Sequence, residues 1–211
     1  MADYKQTIWN YLKNKIGNEY GVAGLMGNLQ AESNLNPKNL QNSYETSLGF
    51  TDTSYTNAVD NGTYTKSQFV NDSAGYGLAQ WTFSSRKQGL YEMYKSGGYS
   101  SIGSIELALD YLWYELQKSY SGVLSVLKSA TSIRQASDKV LHDFENPANQ
   151  STSVEEYRAS LGTAIYNELT GTSGGEGGGG EGGGGTVPVI TRTKKRKYKF
   201  FLFNRRKRSS L

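Results

Sequence analysis

Apolar residues recur at helical spacing along most of the first 170 positions, broken by one long polar stretch. Ile8, Trp9, Leu12 and Ile16 mark a first helix, with Asp3 as its N-cap. After a turn at residues 17–21, Val22, Leu25, Met26 and Leu29 mark a second. Residues 38–74 are rich in Asn, Asp, Ser, Thr and Tyr and hold no persistent period. A stretch this long inside a domain is functional or contains short structure. Asn61-Gly62 within it reads as a two-residue hairpin turn. The helical period returns after Trp81. Ser84 or Ser85 caps a helix reaching about Lys95, and Ile105, Leu109, Leu112, Trp113 and Leu116 line the next, over residues 103–118. A short helix follows at residues 123–128. Thr131 caps another, with Ile133, Ala136, Val140 and Phe144 inward. Ser153-Val154-Glu155-Glu156 has the form of a capping box, opening a last helix that buries Leu161 and Ile165. Leu107 and Leu141 read as core. The expected fold is mainly α, a helical bundle with a small irregular or hairpin insertion.

Composition then divides the chain. Residues 1–170 suffice for one substantial core. Residues 171–185 read as a flexible spacer, since ten of the twelve positions 174–185 are glycine and such a segment has no apolar surface to bury. Residues 186–211 hold five Lys, five Arg and no acid, interleaved with Tyr198, Phe200, Phe201, Leu202 and Phe203. The formal charge of +4 therefore conceals two unlike parts: +10 in the tail, and −6 elsewhere, where 13 basic residues face 19 acidic ones. A basic end is either a solvated charge run or a contact for an anionic surface, whether membrane, wall polymer or nucleic acid. There is no Cys, which excludes disulfides and thiolate chemistry, and the single His142 excludes a multi-histidine metal site. No cofactor is expected. Neither a signal-peptide pattern nor an apolar run of membrane-spanning length is visible.

One residue stands out chemically. Glu32 lies seven positions after Leu25 and so continues the apolar face of the second helix, just where Asn34, Asn36 and Pro37 stop it. A carboxyl there is partly desolvated, which favours its protonated form, as a general acid near neutral pH requires. The plainer reading is a solvated glutamate at a helix end.

Two segments together change the balance. Glu32-Ser33-Asn34-Leu35-Asn36-Pro37 resembles the Glu-Ser-x-x-Asn-Pro signature closing the catalytic helix of lysozyme-like and lytic-transglycosylase-like enzymes. Gly77-Leu78-Ala79-Gln80-Trp81 resembles the Gly-Leu-x-Gln segment that follows it. Over about residues 4–168 the chain resembles the phage tail lysozyme family. Phe144-Glu145-Asn146-Pro147 is similar to that family's aromatic-Glu-Arg-Pro segment, with Asn146 where Arg is usual. The resemblance implies an α+β lysozyme-like fold and a muramidase cutting between N-acetylmuramic acid and N-acetylglucosamine, carried in a phage tail or released by lysis. Its partners would be peptidoglycan glycan strands and phage tail proteins. Glu32 would be the proton donor, with Ser33 fixing the helix end and Gly77 and Gln80 lining the cleft floor. Tyr76 and Trp81 would either stack on sugar or pack. The 16 Tyr and three Trp suit a sugar-stacking groove and a tyrosine-rich core alike.

A retaining or inverting glycosidase needs a second carboxylate. Glu45, Asp52, Asp60 and Asp72 are available in the insertion, and Asp72, just before Ser73-Ala74-Gly75, is the choice. Glu145 reads as a buried structural acid. A lytic transglycosylase would dispense with the second carboxylate. A conjugation-associated lysozyme, a non-catalytic wall-binding or structural tail module, and a nucleic-acid binder acting through the tail are the other readings.

Overall fold

The second helix is covered on every side. In the computed structural model, which describes residues 4–172, α2 (Glu19–Ser33) is buried without interruption from Gly21 to Leu29, the mark of a central helix. Around it pack α1 (Lys5–Ile16), α8 (Ser121–Ser129), α9 (Ile133–Lys139), a π-helical segment (Val140–Glu145) and α10 (Thr152–Thr170). α6 (Ser84–Ser96) and α7 (Ile105–Lys118) extend this bundle through α8. The insertion contributes α3 (Asn42–Leu48), α4 (Asp52–Asp60) and α5 (Lys66–Asn71), the last packed on α6. The expected mainly helical fold is observed. The spacer, the basic tail and the Asp3 cap lie outside the described residues.

Close approach to α2 depends on missing side chains. A Cβ at Gly24 would lie 2.5 Å from the Ala136 Cβ of α9, and one at Gly27 would lie 2.4 Å from the Arg158 carbonyl of α10. A Cβ at Gly162 of α10 would in turn meet the Ala23 carbonyl at 2.6 Å. Backbone thus rests on backbone where α2 meets α9 and α10.

The insertion holds no hairpin. Asn61 ends α4, Gly62 follows at φ 81°, and the Tyr64 amide donates to the Ala58 carbonyl, so Asn-Gly here is a helix stop. Capping boxes at Thr51 and Thr65 start helices on either side of it, while Tyr55, Ala58 and Val59 have the i, i+3, i+4 spacing of a buried helical face. Extended pairing among the described residues shrinks to isolated bridges, Leu40 with Tyr76 and Tyr76 with Trp81. The Ser153 capping box does not form either. α10 begins after Ser151, which places Ser153 inside the helix, and Ser151 itself makes no side-chain cap hydrogen bond. Leu161 is only half-buried, whereas Ile165, Leu107 and Leu141 are core.

The tyrosine surplus builds core. Tyr55, Tyr64, Phe50, Phe69 and Tyr76 pack ring to ring with centroids 5.3–6.1 Å apart. Their edge holds a buried ion pair between Lys87 and Asp72, whose side chains are 0% and 3% exposed.

Candidate active site

The catalytic-helix candidate is fixed at both ends by asparagine. Asn18 caps the start of α2, its Oδ1 accepting from the Tyr20 and Gly21 amides. Asn34 ends it in the left-handed region at φ 52°, and Leu35 follows at φ 60°. Glycine normally takes such a position, and a buried leucine there costs about 1–2 kcal/mol. The surroundings hold it. Asp52 accepts from the Asn36 side chain at 2.9 Å and from the Leu40 amide at 2.7 Å, pinning the chain as it leaves the helix. Strained backbone of this kind concentrates at functional sites.

Ser33 ties the helix end to the second motif. Its hydroxyl lies 3.1 Å from the Leu29 carbonyl and 2.8 Å from the Leu78 carbonyl, one donor shared between α2 and the 77–80 loop. Gly77 stands at φ 75°, where a Cβ would crowd the Trp81 ring at 3.0 Å; its amide donates to the Asn39 carbonyl. Gln80, at φ 45°, donates through Nε2 to the Asn39 carbonyl and side chain and to the Gly77 carbonyl. Ser33, Gly77 and Gln80 therefore belong to one hydrogen-bonded junction, and Glu32 stands beside it as the residue before Ser33.

Three other candidates are buried in the core. Tyr76 is fully buried, its hydroxyl 2.7 Å from Thr56 Oγ1, and burial raises its phenol pKa. Trp81 is fully buried and donates from Nε1 to Glu115 at 2.7 Å. Of the two roles open to these rings, stacking on sugar is corrected to packing, because no face of either reaches solvent. The Asp72 carboxylate is turned into the core. Oδ1 contacts Lys87 Nζ at 2.5 Å and accepts from the Ala74 amide, and Oδ2 accepts from the Tyr55 hydroxyl at 2.5 Å and from Tyr64. Desolvation, opposed by Asp72, lowers the Lys87 ammonium to about 8, while burial and then the Asp72 charge raise the Tyr55 phenol. Asp52 and Asp60 are occupied likewise, Asp60 by Ser101 and the Ile102 amide.

The neighbours of Glu32 include two residues the sequence reading missed. Glu32 is partly buried, with its side chain 16% exposed, and desolvation alone does not describe its setting. Arg158 of α10, 9% exposed, donates from Nη2 to Glu32 Oε1 at 2.6 Å and from Nη1 to Asn28 Oδ1 at 3.1 Å. Asn28 is fully buried one turn before Glu32 and donates to the Gly24 carbonyl and to Ser137 of α9. A signal existed for both. Arg158 stands three residues before Leu161 and seven before Ile165, and Asn28 interrupts an apolar run, so each is a polar group on a helical core stripe.

His142 stays away from this junction. Its ring nitrogens meet Gln150 and Glu155 at 2.9 Å each, and the Gln150 hydrogen bond, ahead of Glu155, raises its pKa. Phe144 and Glu145 are buried in the π segment, the Phe144 ring 4.8 Å from the Arg86 guanidinium. Among the described residues no cluster suited to a metal ion occurs, and no helix is long and apolar enough to cross a membrane.

The phage tail lysozyme family model matches residues 3–169, nearly the whole described structure and the junction around Glu32 within it. The chain belongs to the phage tail lysozyme family. As a member of it, the protein has the general character of a lysozyme-like, phage-associated glycosidase with peptidoglycan as substrate. No solved structure matches it.

Proposed function

We propose that this protein is a muramidase in which Glu32 protonates the departing oxygen of the bond between N-acetylmuramic acid and N-acetylglucosamine. The observation that carries the reading is the junction itself. A glutamate at the strained end of the central helix is tied by Ser33 to the Gly77–Gln80 turn, in a chain of this family. Glycosidic cleavage needs a proton on the leaving group and stabilisation of an oxocarbenium-like sugar. Among the described residues only Glu32 Oε1 has a hydrogen-bond partner, so Oε2 is the oxygen available to carry that proton.

The second carboxylate is not Asp72 in this proposal. Both its oxygens are occupied in a buried pair, which makes it a support of the insertion. Asp52 and Asp60 also use both oxygens, which leaves Glu45 on α3 as the insertion acid outside these pairings. Hydrolysis through Glu45 and substrate-assisted transglycosylation then differ in product. One gives reducing ends and the other anhydro-muramic ends.

The family match supports a biological setting for this proposal. The enzyme opens the wall locally as part of a phage tail, its catalytic unit at residues 1–170 separated by a glycine spacer at 171–185 from a basic end at 186–211 that contacts an anionic surface. Glu32→Gln tests the catalytic core of the reading. Loss of general-acid catalysis lowers the rate of wall clearing by about 10²–10⁴-fold with unchanged circular dichroism. A folded variant clearing walls at the wild-type rate would point instead to a different site.

A further inference from the structure

The two buried arginine–carboxylate pairs among the described residues differ in form. Arg86 grips Glu115 with two parallel bonds, Nε to Oε1 and Nη2 to Oε2, both at 2.7 Å, beneath the rings of Phe144 and Tyr120. That is the bidentate arrangement that most favours a carboxylate–guanidinium pair, and it occupies both oxygens. Arg158 uses the same fork otherwise. One nitrogen goes to Glu32 Oε1 and another to Asn28 Oδ1, so the guanidinium bridges two side chains of one helix face four residues apart and leaves Glu32 Oε2 without a donor among the described residues.

We propose that Arg158 is the positioning residue of the active site, fixing the Glu32 carboxyl by a single bond to Oε1 while Asn28 fixes Arg158, so that Oε2 is aimed at the glycosidic oxygen. This rests on the reading of Glu32 as proton donor. The guanidinium does not touch the reacting atoms and acts through Glu32. Its own place is set from two sides. Asn28 is held by the Gly24 carbonyl and by Ser137 of α9, and the α10 backbone at Arg158 is pressed against Gly27, where no Cβ fits. A chain of contacts thus runs from α9 through Asn28 and Arg158 to Glu32. A purely structural role explains the geometry less well. Buried ion pairs are often matched in stability by apolar residues of the same volume, so stability alone is a weak reason for this one.

The test is steady-state cleavage of purified peptidoglycan by wild type, Arg158→Met, Arg158→Lys and Glu32→Gln, with rates scaled to the folded fraction. The expected result for Arg158→Met is a fall in kcat of about 100-fold with KM within about twofold, since glycan contacts remain while the carboxyl loses its orientation. Arg158→Lys keeps the charge, but one ammonium lacks the planar fork that spans Asn28 and Glu32, so kcat stays at least about tenfold below wild type. Wild-type kcat in folded Arg158→Met, or a loss confined to KM, overturns the proposal. Should Arg158→Met not fold, Arg158→Lys decides, and kcat within twofold of wild type overturns it. The Glu32→Gln arm separates the two ideas. An inactive Glu32→Gln beside fully active Arg158 variants removes this inference alone, whereas an active Glu32→Gln removes the reading beneath it.

Discussion

Replacing Gly27 with alanine puts a methyl group into the seam that aligns Glu32 with Arg158. The new Cβ would lie 2.4 Å from the Arg158 carbonyl, 2.6 Å from the Gly162 amide nitrogen and 3.0 Å from the Gly162 Cα, all backbone atoms that cannot rotate aside. Ordinary contact begins near 3.4 Å, so α2 and α10 must part by about 1 Å. Two energies oppose each other. Alanine favours the helix over glycine by about 1 kcal/mol, and overpacking of this kind costs about 1–3 kcal/mol or more. With backbone on both sides the upper end applies, for a net loss of about 2 kcal/mol and a fall in Tm of about 4–8 °C. The same 1 Å lengthens the Arg158–Glu32 contact from 2.6 Å towards about 3.6 Å, beyond hydrogen-bonding range. Activity per folded molecule then falls by about 100-fold. Gly122 of α8 is the control, since a Cβ there meets nothing within 4 Å and Gly122→Ala should be neutral or stabilising. Thermal unfolding and clearing of a peptidoglycan suspension measure both effects. A Gly27→Ala protein with wild-type Tm and rate would refute the claim that a glycine seam sets the site.

Asp72→Ala strands Lys87 as an uncompensated buried cation, so stability should fall by about 3–5 kcal/mol in urea unfolding, with substantial recovery in Asp72→Ala/Lys87→Met. Neither variant should lose catalysis per folded molecule, which distinguishes a support from a nucleophile. Glu45→Gln should lower the hydrolytic rate by at least about tenfold if Glu45 supplies the second carboxylate, and leave it unchanged if the substrate assists its own cleavage. His142 has a raised folded pKa, so its contribution to stability is full below the unfolded value of about 6.5 and is lost as pH rises through the folded value. Unfolding midpoints of wild type and His142→Gln measured from pH 5 to 8 should therefore converge as pH increases.

The helices of the bundle could be read from their apolar spacing, because α1, α7 and α10 each place core residues at three- and four-residue steps. Helix α2 was legible as apolar but not as central, since its burial on all faces depends on Gly24, Gly27 and the partners they admit. The insertion misled for a physical reason. Its helices are six to nine residues long, too short for a persistent period, and the Thr51 box of α4 closes through Ser54 rather than the usual Glu or Gln. Ser33, Gly77 and Gln80, singled out through local motifs, share one hydrogen-bonded junction beside Glu32, whose catalytic role is the proposal. Arg158 and Asn28 were not found, because a contact across 126 residues leaves no mark in local spacing beyond a polar residue on a buried stripe. Asp72 was misplaced for the opposite reason. Proximity to the second motif in sequence suggested the cleft, whereas Lys87 and Tyr55 draw its carboxylate into the core.

The most direct test of the central claim is mass spectrometry of the fragments released from purified peptidoglycan by wild type and by Glu32→Gln. Fragments ending in N-acetylmuramic acid, reducing or anhydro, from wild type and none from folded Glu32→Gln are the predicted result, with reducing ends identifying hydrolysis. Release of the same fragments at the same rate by Glu32→Gln would contradict the account.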